Sequence, residues 1–224
     1  MRLFPQEEFE VRLGRVREKM IQEKIDYLVI PSNVENDFLY IAGYQPVYGE
    51  AVIVIPLGKE PLLFFNTEWD KERIENSTYV EDIRAVEDPV IGSCSYLKSF
   101  DADSIGVVGY WELPYRVFKN VESFLSGKVR DASICLREVR LRCSDWEIEC
   151  YQKAVAIAEA GMLRAVEILK SLQEDISERE LAQEIQIAMD REEFGGFSGV
   201  CVGSGQRSAQ PVALPTDKVI HPGE

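Results

Sequence analysis

The chain has 224 residues, 46% of them apolar and 29% charged, which sets it among chains that fold around their own core and excludes the polar, disordered class. Its formal charge of −14 repels polyanions, and no cluster of Lys and Arg interleaved with aromatic residues offsets that field, so nucleic acid is excluded as a partner. The five cysteines, Cys94, Cys135, Cys143, Cys150 and Cys201, form no C-x-x-C pair, the N-terminal residues are acidic where a signal peptide would be apolar, and no stretch stays apolar long enough to span a bilayer; a reducing, cytoplasmic setting without a membrane partner is expected.

In chain order, Phe9, Leu13, Val16, Met20 and Ile21 recur at helical spacing with charged residues between them, which predicts an amphipathic first helix. The apolar run from Tyr27 to Ile30, closed by Pro31, predicts a buried strand. A short helix over 37–42 follows, then strands over 51–55 and 61–65, joined as a hairpin by the turn residues Pro56, Gly58 and Lys59. Helices over 69–76, 90–100 and 114–125 alternate with strands over 79–83, 104–108 and 128–131. That alternation predicts an α/β domain, a mixed sheet with flanking helices, over residues 1–133.

Beyond Ala132 the texture changes. Ser144-Asp-Trp-Glu147 matches a capping box and opens a long helix whose stripe Ile148, Tyr151, Val155, Ala158, Met162, Ala165, Val166 and Leu169 is expected to face inward. Ser177-Glu-Arg-Glu180 repeats the box, and Leu181, Ile185, Ala188 and Met189 supply the stripe of a second helix. A glycine-rich entry, Gly195 to Gly199, leads to a short strand at Val200 to Val202, then a polar loop with Pro211 and Pro215. Two helices and one strand leave their faces uncovered, so residues 134–224 read as an incomplete α+β domain.

The candidate chemistry is sparse. Gly203-Ser-Gly205-Gln-Arg207-Ser208 lacks the third glycine and the Lys-Ser/Thr end of phosphate loops and leads to prolines in place of a helix. Ser198 lacks the flanks of a nucleophile elbow. Cys201 alternates with Val200 and Val202 as a strand residue would, and the single histidine, His221, lies in a turn, so neither is assigned to catalysis. No stretch offers three or four metal ligands at workable spacing, and no metal is expected on these residues. Among the aromatics of the segment from Phe38 to Tyr48, Tyr40 suits the core, while Tyr44 and Tyr48 are candidates for an exposed subunit contact.

Taken together, three segments carry a resemblance. Asn36-Asp-Phe-Leu-Tyr-Ile-Ala-Gly-Tyr44, the joint Leu136-Arg-Glu-Val-Arg-Leu-Arg-Cys-Ser-Asp-Trp-Glu-Ile148, and the loop Gly203-Ser-Gly-Gln-Arg-Ser-Ala-Gln-Pro-Val-Ala-Leu-Pro-Thr-Asp-Lys218 resemble the creatinase and Xaa-Pro peptidase family (aminopeptidase P, prolidase). The resemblance implies a creatinase-type N-terminal domain followed by the first part of a pita-bread domain, with the chain stopping where the second pseudo-repeat would begin. It implies a metallohydrolase acting on proline-containing peptides through two divalent cations (Mn, Co or Zn), whose ligands would all follow Glu224, so that this chain alone is expected to be inactive. It also implies a homodimer. In that family a histidine follows the proline of the last loop, and here Val212 stands in its place; a valine neither donates a hydrogen bond nor carries a proton. Two alternatives stay open: a metal-independent, creatinase-like hydrolase of a small amide or amidine, and a non-catalytic dimerisation or binding module.

Overall fold

A computed structural model describes residues 2–100, 102–125, 127–172, 174–192 and 199–222, in two compact units, 1–144 and 145–224. No helix among the described residues is long and apolar enough to cross a membrane.

The first unit is built as its periodicities require. Helix α1 (Gln6–Glu23) turns Phe9, Leu13, Val16 and Met20 inward, and strand β1 (Tyr27–Pro31) follows it at once. Helix α2 (Glu35–Ala42) ends on Gly43 at φ 64, the left-handed conformation that a glycine adopts without a Cβ clash. Strands β2 (Ala51–Pro56) and β3 (Leu62–Phe65) form the expected hairpin, in register from Ala51 opposite Phe65 to Val54 opposite Leu62. A 3-10 turn at Glu68–Asp70 leads into α3 (Lys71–Ser77) and strand β4 (Asp82–Ala85). Helix α4 (Pro89–Ser99) starts with a proline in its first turn and with the Asp88 carboxylate accepting from the N–H groups of Val90 and Ile91. Strand β5 (Ile105–Val107), helix α5 (Tyr115–Leu125) and strand β6 (Val129–Asp131) complete the sheet.

The strand order is β4-β3-β2-β1-β5-β6. The β1, β2 and β3 neighbours are antiparallel, while β3/β4, β1/β5 and β5/β6 are parallel. Side chains alternate between faces along each strand. Val29, Val52, Val54, Phe64 and Val107 join Val90, Cys94, Leu97, Val117 and Val121 in one core on the side of α4 and α5. Leu28, Ile30, Ile53, Ile55 and Leu63 are the alternate, equally buried set. Burial on both faces is why these strands read as unbroken apolar runs. Cys94 and Cys135 are part of this packing, and burial pushes their thiols up to about 12 and about 11.

Three features differ from the sequence reading. Strand β4 lies three residues later than its apolar signal, since Val80 is buried ahead of the paired segment. The change of texture at residue 133 is not the edge of the first unit: Ile134–Arg140 fold as helix α6, which packs on α1, so the unit runs on to Ser144. The second unit opens with α7 (Asp145–Lys170), but of its expected inward stripe only Ala165 is buried, together with Gly161. The contact with α8 (Glu178–Asp190) is made there, where a Cβ on Gly161 would come within 2.9 Å of Met189 Cγ. Ile148, Tyr151, Val155, Met162, Val166 and Leu169 remain exposed.

Gly14 gives a direct stability test. It sits in the interior of α1, and a Cβ there would meet nothing within 4 Å. Since glycine costs a helix interior about 0.5–1 kcal/mol relative to alanine, Gly14→Ala is expected to raise the unfolding free energy by that amount, read as a higher urea midpoint at unchanged m-value.

Candidate functional site

In the second unit the polar loop from Gly203 to Lys218 is held on the N-terminus of α8. Ser177 caps that helix as its sequence requires: its hydroxyl accepts from Glu180 N at 3.1 Å and its N–H donates to the Glu180 carboxylate at 2.8 Å. The short strands β7 (Ile176–Ser177) and β8 (Val219–Ile220) pair antiparallel and bring the Lys218 end of the loop to the cap. The early N–H groups of the helix then find loop carbonyls, Glu178 N donating to Lys218 O at 2.9 Å and Arg179 N to Thr216 O at 3.0 Å.

Glu178 is the hub. Its side chain is fully buried, and one carboxylate oxygen accepts from Ser204 N and Oγ, both at 2.9 Å, while the other accepts from Thr216 N at 3.1 Å and Oγ1 at 2.7 Å. Arg207 Nε lies 3.2 Å from both oxygens, and Arg207 also donates to Leu214 O at 2.7 Å. The Thr216 hydroxyl above all, with the Ser204 N–H and hydroxyl and the Thr216 N–H, outweighs burial and holds the Glu178 carboxyl down to about 2. Gly203 is required by close approach, since a Cβ there would fall 2.6 Å from Ala213 Cβ and 2.9 Å from Arg207 O. With Ala213 buried beneath the turn, Val212 and Leu214 on either side point outward, each 68% exposed.

Sequence reasoning placed Glu178 only inside a capping box. Its function as the loop's anchor has no periodic signal, because its partners are 26 to 38 residues away. The other candidates fall as follows. Ser198 and the residues 195–198 lie outside the described residues. Residues 199–202 are not a strand, since they pair with no strand of either described sheet; Val200 and Val202 pack on Ala165, Leu181, Ile185 and Ile220, and Cys201 is exposed. His221 Nδ1 lies 3.0 Å from Asp175 Oδ1 at the surface.

In the first unit Tyr44 is buried, at 3% exposure, contrary to the expectation of an exposed ring. Its hydroxyl donates to Asp70, which is also held by Arg73 at 2.6 and 3.0 Å. The Arg73 hydrogen bonds hold the Asp70 carboxyl below its ordinary range, and burial, then the bond to Asp70, raises the Tyr44 phenol. Tyr48 is exposed, its ring centroid 5.6 Å from that of the equally exposed Trp69; Trp69, expected at the start of a helix over 69–76, lies in the 3-10 turn ahead of it.

Comparison with known proteins follows the two units. Residues 12–142 match the family model described as Creatinase/Prolidase N-terminal domain, and residues 149–224 match Metallopeptidase family M24. The chain is 26% identical over 216 residues to an Xaa-Pro dipeptidase of Pyrococcus horikoshii and 25% identical over 217 residues to one of Pyrococcus furiosus, covering 95% of this chain in each case. It spans only 57% and 58% of those relatives' lengths. The fold is shared with the X-Pro aminopeptidase of Thermotoga maritima (TM-score 0.77, 20% identity, 93% of this chain on 57% of that one) and the Xaa-Pro dipeptidase of Bacillus anthracis (TM-score 0.75, 20% identity, 95% on 57%). The second unit therefore corresponds to the first part of a pita-bread domain. Among the described residues, no group of three or more His, Cys, Asp or Glu side chains is placed to hold a metal ion, so these residues do not form the centre that the name metallopeptidase implies.

Proposed function

Since the chain belongs to the creatinase/prolidase N-terminal domain family and continues into metallopeptidase family M24, we propose that the whole protein is a hydrolase of Xaa-Pro peptides, an Xaa-Pro dipeptidase or aminopeptidase dependent on divalent cations. The observation that carries this reading is the likeness to Xaa-Pro dipeptidases along 95% of the chain, through both units and into the loop anchored by Glu178. The contribution of these residues is to fix that loop, whose tip carries Val212 where the family resemblance implies a histidine. A cytoplasmic homodimer is part of the same proposal, and the exposed Tyr48 and Trp69 rings suit a subunit contact, where aromatic side chains are enriched.

Val212 itself favours a second reading, a non-catalytic binding or dimerisation module, because valine offers no proton and no hydrogen bond at the loop's tip. Proline release from an Xaa-Pro dipeptide by the full-length protein, supplied with Mn²⁺ or Co²⁺, separates the two. Turnover is expected, and Val212→His is expected to raise it by about 10²-fold, the range of a positioned proton-transfer group. Failure of both proteins to release proline in the presence of metal overturns the peptidase reading.

A further inference from the structure

A cleft of the first unit, about 720 Å³, runs between α1 and the edge of the sheet at β4. Its floor is apolar, with Phe9, Leu13 and Val80 buried and Tyr79 stacked on Phe9 at 5.7 Å between centroids. The rim is acidic: Glu10, Glu60, Glu75 and Glu81 are all exposed there. The two cations of the lining are already engaged, Arg2 over the Tyr79 ring at 4.0 Å and Arg17 with the Lys59 carbonyl. Gly14 lies in the helical wall, and packing does not call for a glycine there, as a Cβ would touch nothing within 4 Å. The helix gives up stability at a position where a further side chain would narrow the cleft.

We propose that this cleft takes an extended segment of another polypeptide in which basic and apolar side chains alternate. Several features select that occupant. Among the described residues β4 pairs with β3 alone, so its outer edge has N–H and C=O groups of the kind an added strand uses. The α1 lining from Gln6 to Arg17 spans about 16 Å at 1.5 Å per residue, the length of about five extended residues. A strand's period of two sends alternate side chains to opposite sides, apolar ones to the Phe9 and Leu13 floor and basic ones to the carboxylate rim. The net charge of −14 steers a cationic partner toward the chain and repels an acidic one.

The probe is a fluorescein-labelled ten-residue peptide of alternating Lys and Val, titrated with the full chain by fluorescence anisotropy, beside the same peptide with Glu for Lys. Saturable binding of the Lys peptide alone is expected, with affinity falling about tenfold or more in Gly14→Phe, whose ring fills the cleft, and falling likewise in Glu10→Gln/Glu81→Gln. The double variant replaces exposed groups and decides the matter should Gly14→Phe fail to fold. Absence of saturable binding overturns the proposal, as does binding that weakens with salt yet is unchanged in the folded variants, which is diffuse attraction to the acidic chain.

Discussion

Replacing Glu8 by alanine is expected to lower the stability of the first unit by about 3 kcal/mol, the low end of the cost of stranding one partner of a buried ion pair. Glu8 and Arg12 are both buried on α1, with Arg12 Nε 2.6 Å from Glu8 Oε1. The Arg12 guanidinium also donates to the Tyr40 carbonyl at 2.9 Å and lies 4.4 Å above the Phe4 ring and 4.2 Å above the Tyr40 ring. Those contacts retain part of its solvation in the variant, which sets the estimate at the low end. The Ser144 hydroxyl, which donates to the same Glu8 oxygen at 2.9 Å, loses that acceptor too. Ser144 is the last residue of the first unit, so the exit of the chain from it should loosen as well, read as faster amide exchange around residues 141–144. In Glu8→Leu/Arg12→Met, where no charge is left buried, most of the loss is expected to be recovered. A loss below about 1 kcal/mol for Glu8→Ala, measured by urea unfolding, would mean that contacts other than Glu8, the ring faces and the Tyr40 carbonyl among them, hold the guanidinium.

That pair also shows where sequence legibility ends. Leu13, Val16 and Met20 announce a helical face and Tyr27 to Ile30 a buried strand, because burial writes its period into the chain. The Ser177 capping box was equally legible, being four residues that bond to one another. Arg12 reads instead as one of the charged residues off the apolar stripe, and Glu8 gives no signal, since nothing local distinguishes an ion pair covered by Phe4, Tyr40 and Ser144 from one in water. Helix α6 was missed for its length: Cys135, Leu136 and Val139 are its buried face, too few for a period to emerge. For α7 the period was read correctly and the covering was not. A stripe such as Ile148, Val155 and Met162 says that a helix has an apolar side, and only the neighbouring elements decide whether that side is covered. Tyr44 escaped because its burial depends on Asp70 and Arg73, more than twenty residues away. The candidate site was half visible: the loop from Gly203 to Lys218 and the resemblance it carries were in the sequence, but the carboxylate that holds the loop was not.

Glu178→Ala is expected to release that loop. With the carboxylate gone, the N–H and hydroxyl groups of Ser204 and Thr216 and the Nε of Arg207 lose their shared acceptor, and the turn that buries Ala213 and presents Val212 loses its fixed geometry. Limited proteolysis between 203 and 218 should accelerate by about tenfold or more, while cleavage in the first unit stays unchanged. The sign of the pH dependence follows from the same contacts. Glu178 is held at about 2 in the folded chain against an ordinary 4.5, so its carboxylate stabilises the fold fully above 4.5, and that contribution is lost as pH falls from 4.5 through about 2. Wild-type loop protection should therefore decline over that acidic window. Glu178→Gln, which keeps the shape but cannot ionise, should show weaker protection at neutral pH and little change across the window. Equal protection of the wild type and Glu178→Ala at neutral pH would show that Ser177, the β7–β8 pairing and the Thr216 and Lys218 carbonyls suffice to hold the loop. In the expected outcome, the orientation of Val212, and of a histidine placed there, depends on the fully buried Glu178 carboxylate, so that under the proposed peptidase reading any gain in turnover from Val212→His should fall again when Glu178→Ala is added.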